Sequence, residues 1–274
     1  MAIVFIFLTV LMNRGGAGAQ GQPESAPGLE ARVDSVFQVG EELTYNVSYA
    51  MFDIGQVRIK VLERTEQSGH RVHKAISYID SYKGIPFVNL HLTYESAVTD
   101  SLFSVWFRSR TKEDTRWRTV VYDFRYPAHS IIITNGVLEN IPERRDTMRV
   151  DTVTEDGLSL FFYARANVSE RKKVTVPTVI GQKNLSTFLN FLAERTSEKI
   201  DAVDYPLDLL RFEGEANFVG VFGFTGAFEG WFSNDAAAVP VLAKMKVLIG
   251  KIRIELIKWK RERWTPPRAS SKDG

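Results

Sequence analysis

Residues 43–51 read Leu43-Thr44-Tyr45-Asn46-Val47-Ser48-Tyr49-Ala50-Met51, apolar and small or polar side chains in strict alternation. Side chains of an extended chain switch faces at each residue, so this period of two predicts a strand with one covered face and one wet face. The pattern recurs along the chain. Val57, Ile59 and Val61 alternate with Arg58 and Lys60. Val88, Leu90, Leu92, Tyr94 and Val98 oppose Asn89, His91, Thr93 and Glu95, and Phe103, Val105 and Phe107 alternate with Ser104 and Trp106. Runs at Trp117–Phe124 and Ile131–Thr134 are β-branched or aromatic, and Leu248, Ile252, Ile254 and Leu256 alternate with Lys251, Arg253 and Glu255. One-sided alternation is the mark of antiparallel sheets. The expected fold is all-β and mainly antiparallel: a single strongly curved sheet, or an open or closed barrel, with one or two short helices. Turns are expected at Phe52-Asp53-Ile54-Gly55, Gln67-Ser68-Gly69, Asp114 and Asn135-Gly136, the last being the strongest hairpin signal.

One segment changes period. Leu158, Phe161, Phe162 and Arg165 follow helical spacing, and Asp156 is suited to cap the first turn, which predicts a helix over 157–167. Arg165 continues the apolar stripe, so its cation needs a carboxylate or several carbonyls and is expected in a structural ion pair. For 184–194, Leu185, Phe188, Leu189 and Leu192 fit a helix while Thr187, Leu189, Phe191 and Ala193 fit a strand, and the sequence leaves both open.

The chain has 274 residues, 44% hydrophobic and 12% aromatic, with 35 basic and 33 acidic residues and no cysteine. Such a chain can bury a core without disulfides. The missing cysteine excludes zinc ribbons, iron–sulfur sites and thiol nucleophiles. A formal charge of +2 argues against a dedicated nucleic-acid binder. Ile3–Met12 is apolar but shorter than the ~20 residues of a membrane-spanning helix, and Ala17-Gly18-Ala19 follows as a signal-peptidase site. The reading is a signal peptide over 1–19 cleaved near Ala19, a flexible mature N-terminus over 20–35, one β-rich domain over 36–264 and a disordered tail over 265–274. It places the mature chain in the periplasm or outside the cell.

Gly40-Glu41-x-Leu43-x-Tyr45-x-Val47-x-Tyr49 with Ile54-Gly55, then Asp156-x-x-Ser159-x-x-Phe162-Tyr163-x-Arg165, then Gly230-Trp231-Phe232-Ser233-Asn234-Asp235 with Pro240 and Gly250, occur in that order. Together they resemble the bacterial exported domain-of-unknown-function family 3108, over about residues 36–258. The resemblance implies an envelope protein with a β-rich body and transfers no catalytic residue. Ala236-Ala237-Ala238 stands where the family tends to carry a basic residue before the proline.

Chemistry-bearing motifs are few. His70 and His73 lie an odd number of residues apart, on opposite faces of a strand, and read as exposed structural histidines. His91 shares its strand face with Glu95, as a His–Glu pair would. No phosphate loop, dinucleotide fingerprint, G-x-S-x-G or H-E-x-x-H is present, and no metal or cofactor is expected. Asp235 is expected to accept backbone N–H groups in a tight turn. From Phe218 to Phe232 the only polar side chains are Thr225 and Glu229, and glycines at 220, 223, 226 and 230 suit a bent strand open to ligand approach.

That stretch is the best candidate site. Phe218, Phe222, Phe224, Phe228 and Trp231, with Tyr45 and Tyr49, are expected to line the concave face of the sheet and hold a lipid, another amphiphile or an envelope polymer. The alternatives are a hydrolase of envelope polysaccharide using two carboxylates, or an adaptor that pairs a sheet edge with a partner. Lys258, Trp259, Lys260, Arg261 and Trp264 mix cations and indoles as a contact to an anionic membrane surface would.

Overall fold

Fourteen strands account for most of the computed structural model, which describes residues 28–85, 89–138, 141–216, 221, 224–247 and 250–270. The first helix, α1, is Leu29–Val36. Eight strands follow: β1 Glu42–Tyr49, β2 Phe52–Gln67, β3 His70–Ser81, β4 His91–Thr99, β5 Ser104–Glu113, β6 Arg116–Arg125, β7 Ser130–Leu138 and β8 Ile141–Arg149. Then come α2 Ser159–Asn167 and β9 Lys172–Ile180, β10 Lys183–Glu198, β11 Leu207–Ala216, β12 Phe224–Ser233, β13 Pro240–Val247 and β14 Lys251–Lys260. The predicted leader and its cleavage site, together with Phe218 and Phe222, lie outside the described residues, as does the side chain of Phe224.

All fourteen strands form one sheet in the order β8-β7-β6-β5-β4-β3-β2-β1-β14-β13-β12-β11-β10-β9. Chain neighbours pair antiparallel, and β1 with β14 joins the two halves, Leu43 facing Trp259 and Val47 facing Ile254. The edges β8 and β9 do not pair. The sheet instead coils until β9 overlaps the inner face of the first half, where Val179 packs in one cluster with Phe107, Tyr122, Phe124, Ile131 and Ile133. At this seam the β9–β10 tip, Gly181-Gln182, turns with φ of +57° and +61°, the left-handed pair that a two-residue hairpin requires. The Gln182 backbone N–H donates to the Tyr122 hydroxyl at 2.9 Å, and the Gln182 and Asn135 amides exchange hydrogen bonds at 3.0 and 3.4 Å.

Both helices sit at one end. The connections β2–β3, β4–β5, β6–β7, β10–β11 and β12–β13 lie there, and α2 bridges the last residues of β8 to the first of β9. Phe37, just after α1, stacks on Phe162 of α2 with centroids 4.2 Å apart. The main core gathers Val33, Val36, Leu43, Phe162, Leu189, Phe191, Leu209, Phe232 and Leu256 around these helices.

Several expectations change. Asn135-Gly136 lies inside β7, where the β7–β8 register shifts on both sides of Gly136, so the pair makes a bulge and not the hairpin turn. Phe52–Gly55 belongs to β2, and the chain turns one step earlier, at Ala50 with φ +52°. The ambiguous segment is strand, because its apolar side chains find cross-strand partners such as Phe191 with Phe212, and a bulge between Phe191 and Glu194 shifts its alternation. The helix begins at Ser159, after Asp156 Oδ1 has accepted the Leu158 and Ser159 N–H groups at 2.7 and 2.9 Å. Of the terminus read as flexible, residues 29–35 lie in helix α1, with Val33 buried. Within the expected tail, Arg268 bridges Leu207, and the Asp208 N–H donates to the Pro267 carbonyl at 2.9 Å. His73 is buried, 1% exposed, because its ring stacks on Phe37 at 4.3 Å.

Candidate functional site

The inner face of the coiled sheet lines a half-open chamber of about 670 Å³, within the ~300–1,000 Å³ range of small-ligand pockets. Alternation builds its wall, since each strand contributes its inward residues: Val57 and Ile59 of β2, Leu92 and Tyr94 of β4, Phe107 and Ser109 of β5, Val120 and Tyr122 of β6, Ile252 and Ile254 of β14. Leu158, Leu160, Phe161 and Ala164 form the floor. Among the described lining residues none is Asp, Glu, His, Lys or Arg.

Polar lining is limited to hydroxyl and amide groups. Tyr45 donates its hydroxyl to the Pro240 carbonyl at 3.0 Å. Burial pushes the Tyr45 phenol upward and the Tyr94 phenol up to about 12, so both stay neutral. Ser109, Thr111 and Gln182 lie away from the floor. Thr111 pairs with Leu92 one residue from the start of β4, and Gln182 tips the β9–β10 hairpin.

Two phenylalanines shape the far wall. Phe212 of β11 pairs with Gly230 of β12, and Gly214 pairs with Phe228. Each ring lies on the facing glycine: a Cβ on Gly230 would stand 2.0 Å from Phe212 Cε1, and one on Gly214 2.1 Å from Phe228 Cζ. The two rings meet edge to face at 5.8 Å.

Of the predicted ligand residues, Phe228 and Tyr45 line the chamber. Trp231, between the lining residues Gly230 and Phe232, is buried on the opposite face, where the Lys244 ammonium sits 4.7 Å from its ring. Tyr49 packs over Gly250 in a cluster with Val47, Ile54, Val247 and Ile252 and is not a lining residue. Sequence reading missed Phe212, Tyr122 and Gln182. The alternation marks Phe212 as inward, but nothing local shows that Gly230 will lie beneath its ring.

The ionic groups gather outside the chamber. Arg165 is buried with its guanidinium on Glu41, Nη1 to Oε1 at 2.6 Å and Nη2 to Oε2 at 3.1 Å, and it also donates to the Ala237 carbonyl at 2.9 Å. Arg261 donates to Glu41 and to the Ser35 carbonyl, with its side chain 8% exposed. Lys258 and Lys260 stay exposed. Trp259 meets Trp264 edge to face at 5.9 Å, and the Trp264 indole donates to Asp235 at 2.9 Å. Asp235 Oδ1 accepts the Ala237 and Ala238 N–H groups at 3.0 and 3.1 Å. Asp156 is wrapped by Ser96 and Ser104 hydroxyls besides its two backbone donors. Its neighbour Glu155 is buried with Oε2 unpartnered, and burial raises its pKa well above the ordinary value.

The expected His–Glu pair does not form. His91 Nδ1 meets Asp80 Oδ1 at 2.8 Å, while Glu95 binds Arg108 and Arg110 on the outer face. No group of three or more metal-ligating side chains occurs among the described residues. Both sheet edges carry blocking groups: Lys172, Lys173 and Pro177 on β9, Pro142, Arg144 and Arg145 on β8. The Glu155 backbone also covers β9, donating to the Pro177 carbonyl and accepting from Val179. Among the described residues, no helix is long and apolar enough to cross a membrane.

Fold and chamber define an all-β protein whose antiparallel sheet coils around a chamber with no ionic side chain among its described lining residues. The chain belongs to the protein family of unknown function DUF3108, whose profile matches residues 44–257. Among solved structures it is similar to a β-barrel-like protein of the domain of unknown function DUF1849 from Brucella abortus, at 9% identity and a TM-score of 0.50, covering 81% of this chain and 97% of that one. A protein with a YmcC-like fold from Bacteroides fragilis aligns at 11% identity and a TM-score of 0.38, over 82% of this chain and 97% of that one. No curated protein matches.

Proposed function

We propose that this chain is an exported, non-enzymatic envelope protein that holds the apolar part of an amphiphile inside its coiled sheet. The supporting observation is the chamber of about 670 Å³ with no ionic side chain among its described lining residues. An apolar chamber with a few neutral polar groups favours hydrocarbon, because each buried CH₂ gains about 0.8 kcal/mol and nothing inside rewards a charge. Hydrolysis of a glycan requires two carboxylates facing one bound sugar, and the described lining supplies none. The apolar run Ile3–Met12 followed by Ala17-Gly18-Ala19 supports export.

The test uses the chain expressed with its own leader in a bacterial host. Native mass spectrometry should show a co-purifying lipid, and the delipidated protein should bind a dansylated fatty acid saturably at one site. Absence of both overturns the binding reading. N-terminal sequencing of the envelope fraction should begin near Gln20; an intact Met1 there would remove the cleavage reading, and recovery of the chain in the cytoplasm alone would remove the export reading.

A further inference from the structure

We propose that the chamber takes one unbranched alkyl chain, tail toward α2, and that Phe212 and Phe228 set the length it accepts by lying flat on Gly230 and Gly214. The proposal rests on the amphiphile-binding reading and adds the ligand class, its orientation and the residues that measure it.

Orientation follows from where the polar groups stand. The floor is Leu158, Leu160, Phe161 and Ala164, all apolar, whereas Ser109, Thr111 and Gln182 lie toward the opposite strand ends. A head group left at those ends keeps its water, and the tail meets an apolar floor, the Tyr45 hydroxyl at that end being already bonded to the Pro240 carbonyl. At the end opposite the floor, the Gln182 tip is clasped to Tyr122 and Asn135. A flexible chain can bend past such a tip, whereas a rigid polycycle needs a gap as wide as itself.

Capacity follows from the two glycines. In a sheet the facing backbone cannot retreat, so a side chain at position 230 or 214 must displace the ring above it. Besides Cε1, the Phe212 Cζ and Cδ1 atoms would lie 2.8 and 2.9 Å from a Cβ on Gly230, and both Phe228 Cε atoms 2.6 Å from one on Gly214. These are the outer atoms of rings that border empty space, so each ring can swing away from the sheet, and the direction open to it is into the chamber. The glycines therefore act less on stability than on volume. Phe212 also packs against Phe191 at 6.0 Å and Phe232 at 5.0 Å, so its displacement narrows the chamber beside the main core.

The experiment is displacement of the dansylated fatty acid by a saturated series from octanoate to stearate, with cholesterol as a rigid competitor, in wild type and in Gly230→Ala, Gly214→Ala, Phe212→Ala and Phe228→Ala. The glycine variants should keep the native far-ultraviolet circular dichroism and cooperative urea unfolding, and lose about tenfold in affinity for the longest chains, the equivalent of about two excluded methylenes, with little change for the shortest. The phenylalanine variants should shift the preferred length upward. If wild type binds and all folded variants share its length profile, the measuring role fails while the binding reading stands. Should a glycine variant fail to fold, the phenylalanine variants decide alone: an unchanged profile overturns the proposal. Tighter binding of cholesterol than of any fatty acid overturns the alkyl class. No binding by wild type removes the underlying reading itself.

Discussion

The two ends of the coiled sheet are held by different physics. At the α2 end, Glu41, Arg165 and Arg261 form a dry ionic cluster joining the start of β1, the second helix and the end of β14, while Asp156 gathers hydroxyl and backbone donors from β4, β5 and α2. At the opposite end the tie across the seam is a set of neutral hydrogen bonds between Gln182, Tyr122 and Asn135, partly in solvent. A charge-assisted bond buried from water is strong but leaves a large penalty when one partner is lost. A neutral exposed bond exchanges readily with water. Charges thus fasten the α2 end, and the described residues that line the chamber between the two ends carry none.

The largest expected effect comes from the closed end. Glu41→Gln leaves two buried guanidinium groups without their carboxylate, and unfolding free energy should fall by about 3–5 kcal/mol, read from urea denaturation. A loss under about 1 kcal/mol, the size of a surface pair, would mean that the two ends are held alike. The pH dependence has a definite sign. Burial by itself raises the Glu41 pKa, but Arg165 and then Arg261 outweigh it and hold the carboxyl below its ordinary value. Its contribution is therefore complete above the ordinary carboxylate range and disappears as pH falls through the lowered value.

Glu155 should act in the opposite sense, with a smaller effect. Burial, reinforced by the charge of Asp156, raises its pKa against the opposing hydrogen bond of Ser159. The folded protein then binds a proton that the unfolded chain has released, so stability declines as pH rises from the ordinary carboxylate range toward the raised value. Glu155→Gln should flatten part of that decline in denaturation curves taken across pH. The remainder belongs to Asp156, whose pKa burial also raises. An unchanged slope would show that Glu155 does not hold its proton.

The seam should give the smallest change. Gln182→Ala removes the bonds to Asn135 and should lower global stability by less than about 1 kcal/mol. Amide exchange around Gly181–Lys183 should accelerate while that in β1 and β14 stays unchanged. Equal acceleration in both regions would mean that the seam supports the whole sheet.

Much of the sheet is legible in the chain itself. Leu43-x-Tyr45-x-Val47, Val57-x-Ile59-x-Val61 and Ile252-x-Ile254 declare which residues turn inward, because the pleat ties facing to parity. Arg165 likewise announces a buried partner by its place in an apolar stripe. The helix start, expected at 157 and found at Ser159, is legible to within two residues, since the contacts of Asp156 with the Leu158 and Ser159 N–H groups are between near neighbours. Misreadings arise where distance in sequence stops being informative. Asn135-Gly136 has the composition of a turn, but the β7–β8 ladder runs past it and uses Asn135 to clasp Gln182, 47 residues away. Trp231 reads as part of an aromatic lining, yet parity places it on the other face from Gly230 and Phe232.

By itself, then, the sequence determined the antiparallel class, the inward face of most strands, the capped helix and the need for a carboxylate beside Arg165, all of them consequences of local stereochemistry and desolvation. Only the tertiary structure decided that the carboxylate is Glu41, 124 residues away, and that Arg261, 220 residues from it, shares the load. It also decided that the sheet overlaps itself without closing, and that Phe212 and Phe228 rest on glycines of a neighbouring strand. Register and coiling set these contacts, and both depend on how the whole sheet buries its apolar face, which no short stretch of chain encodes.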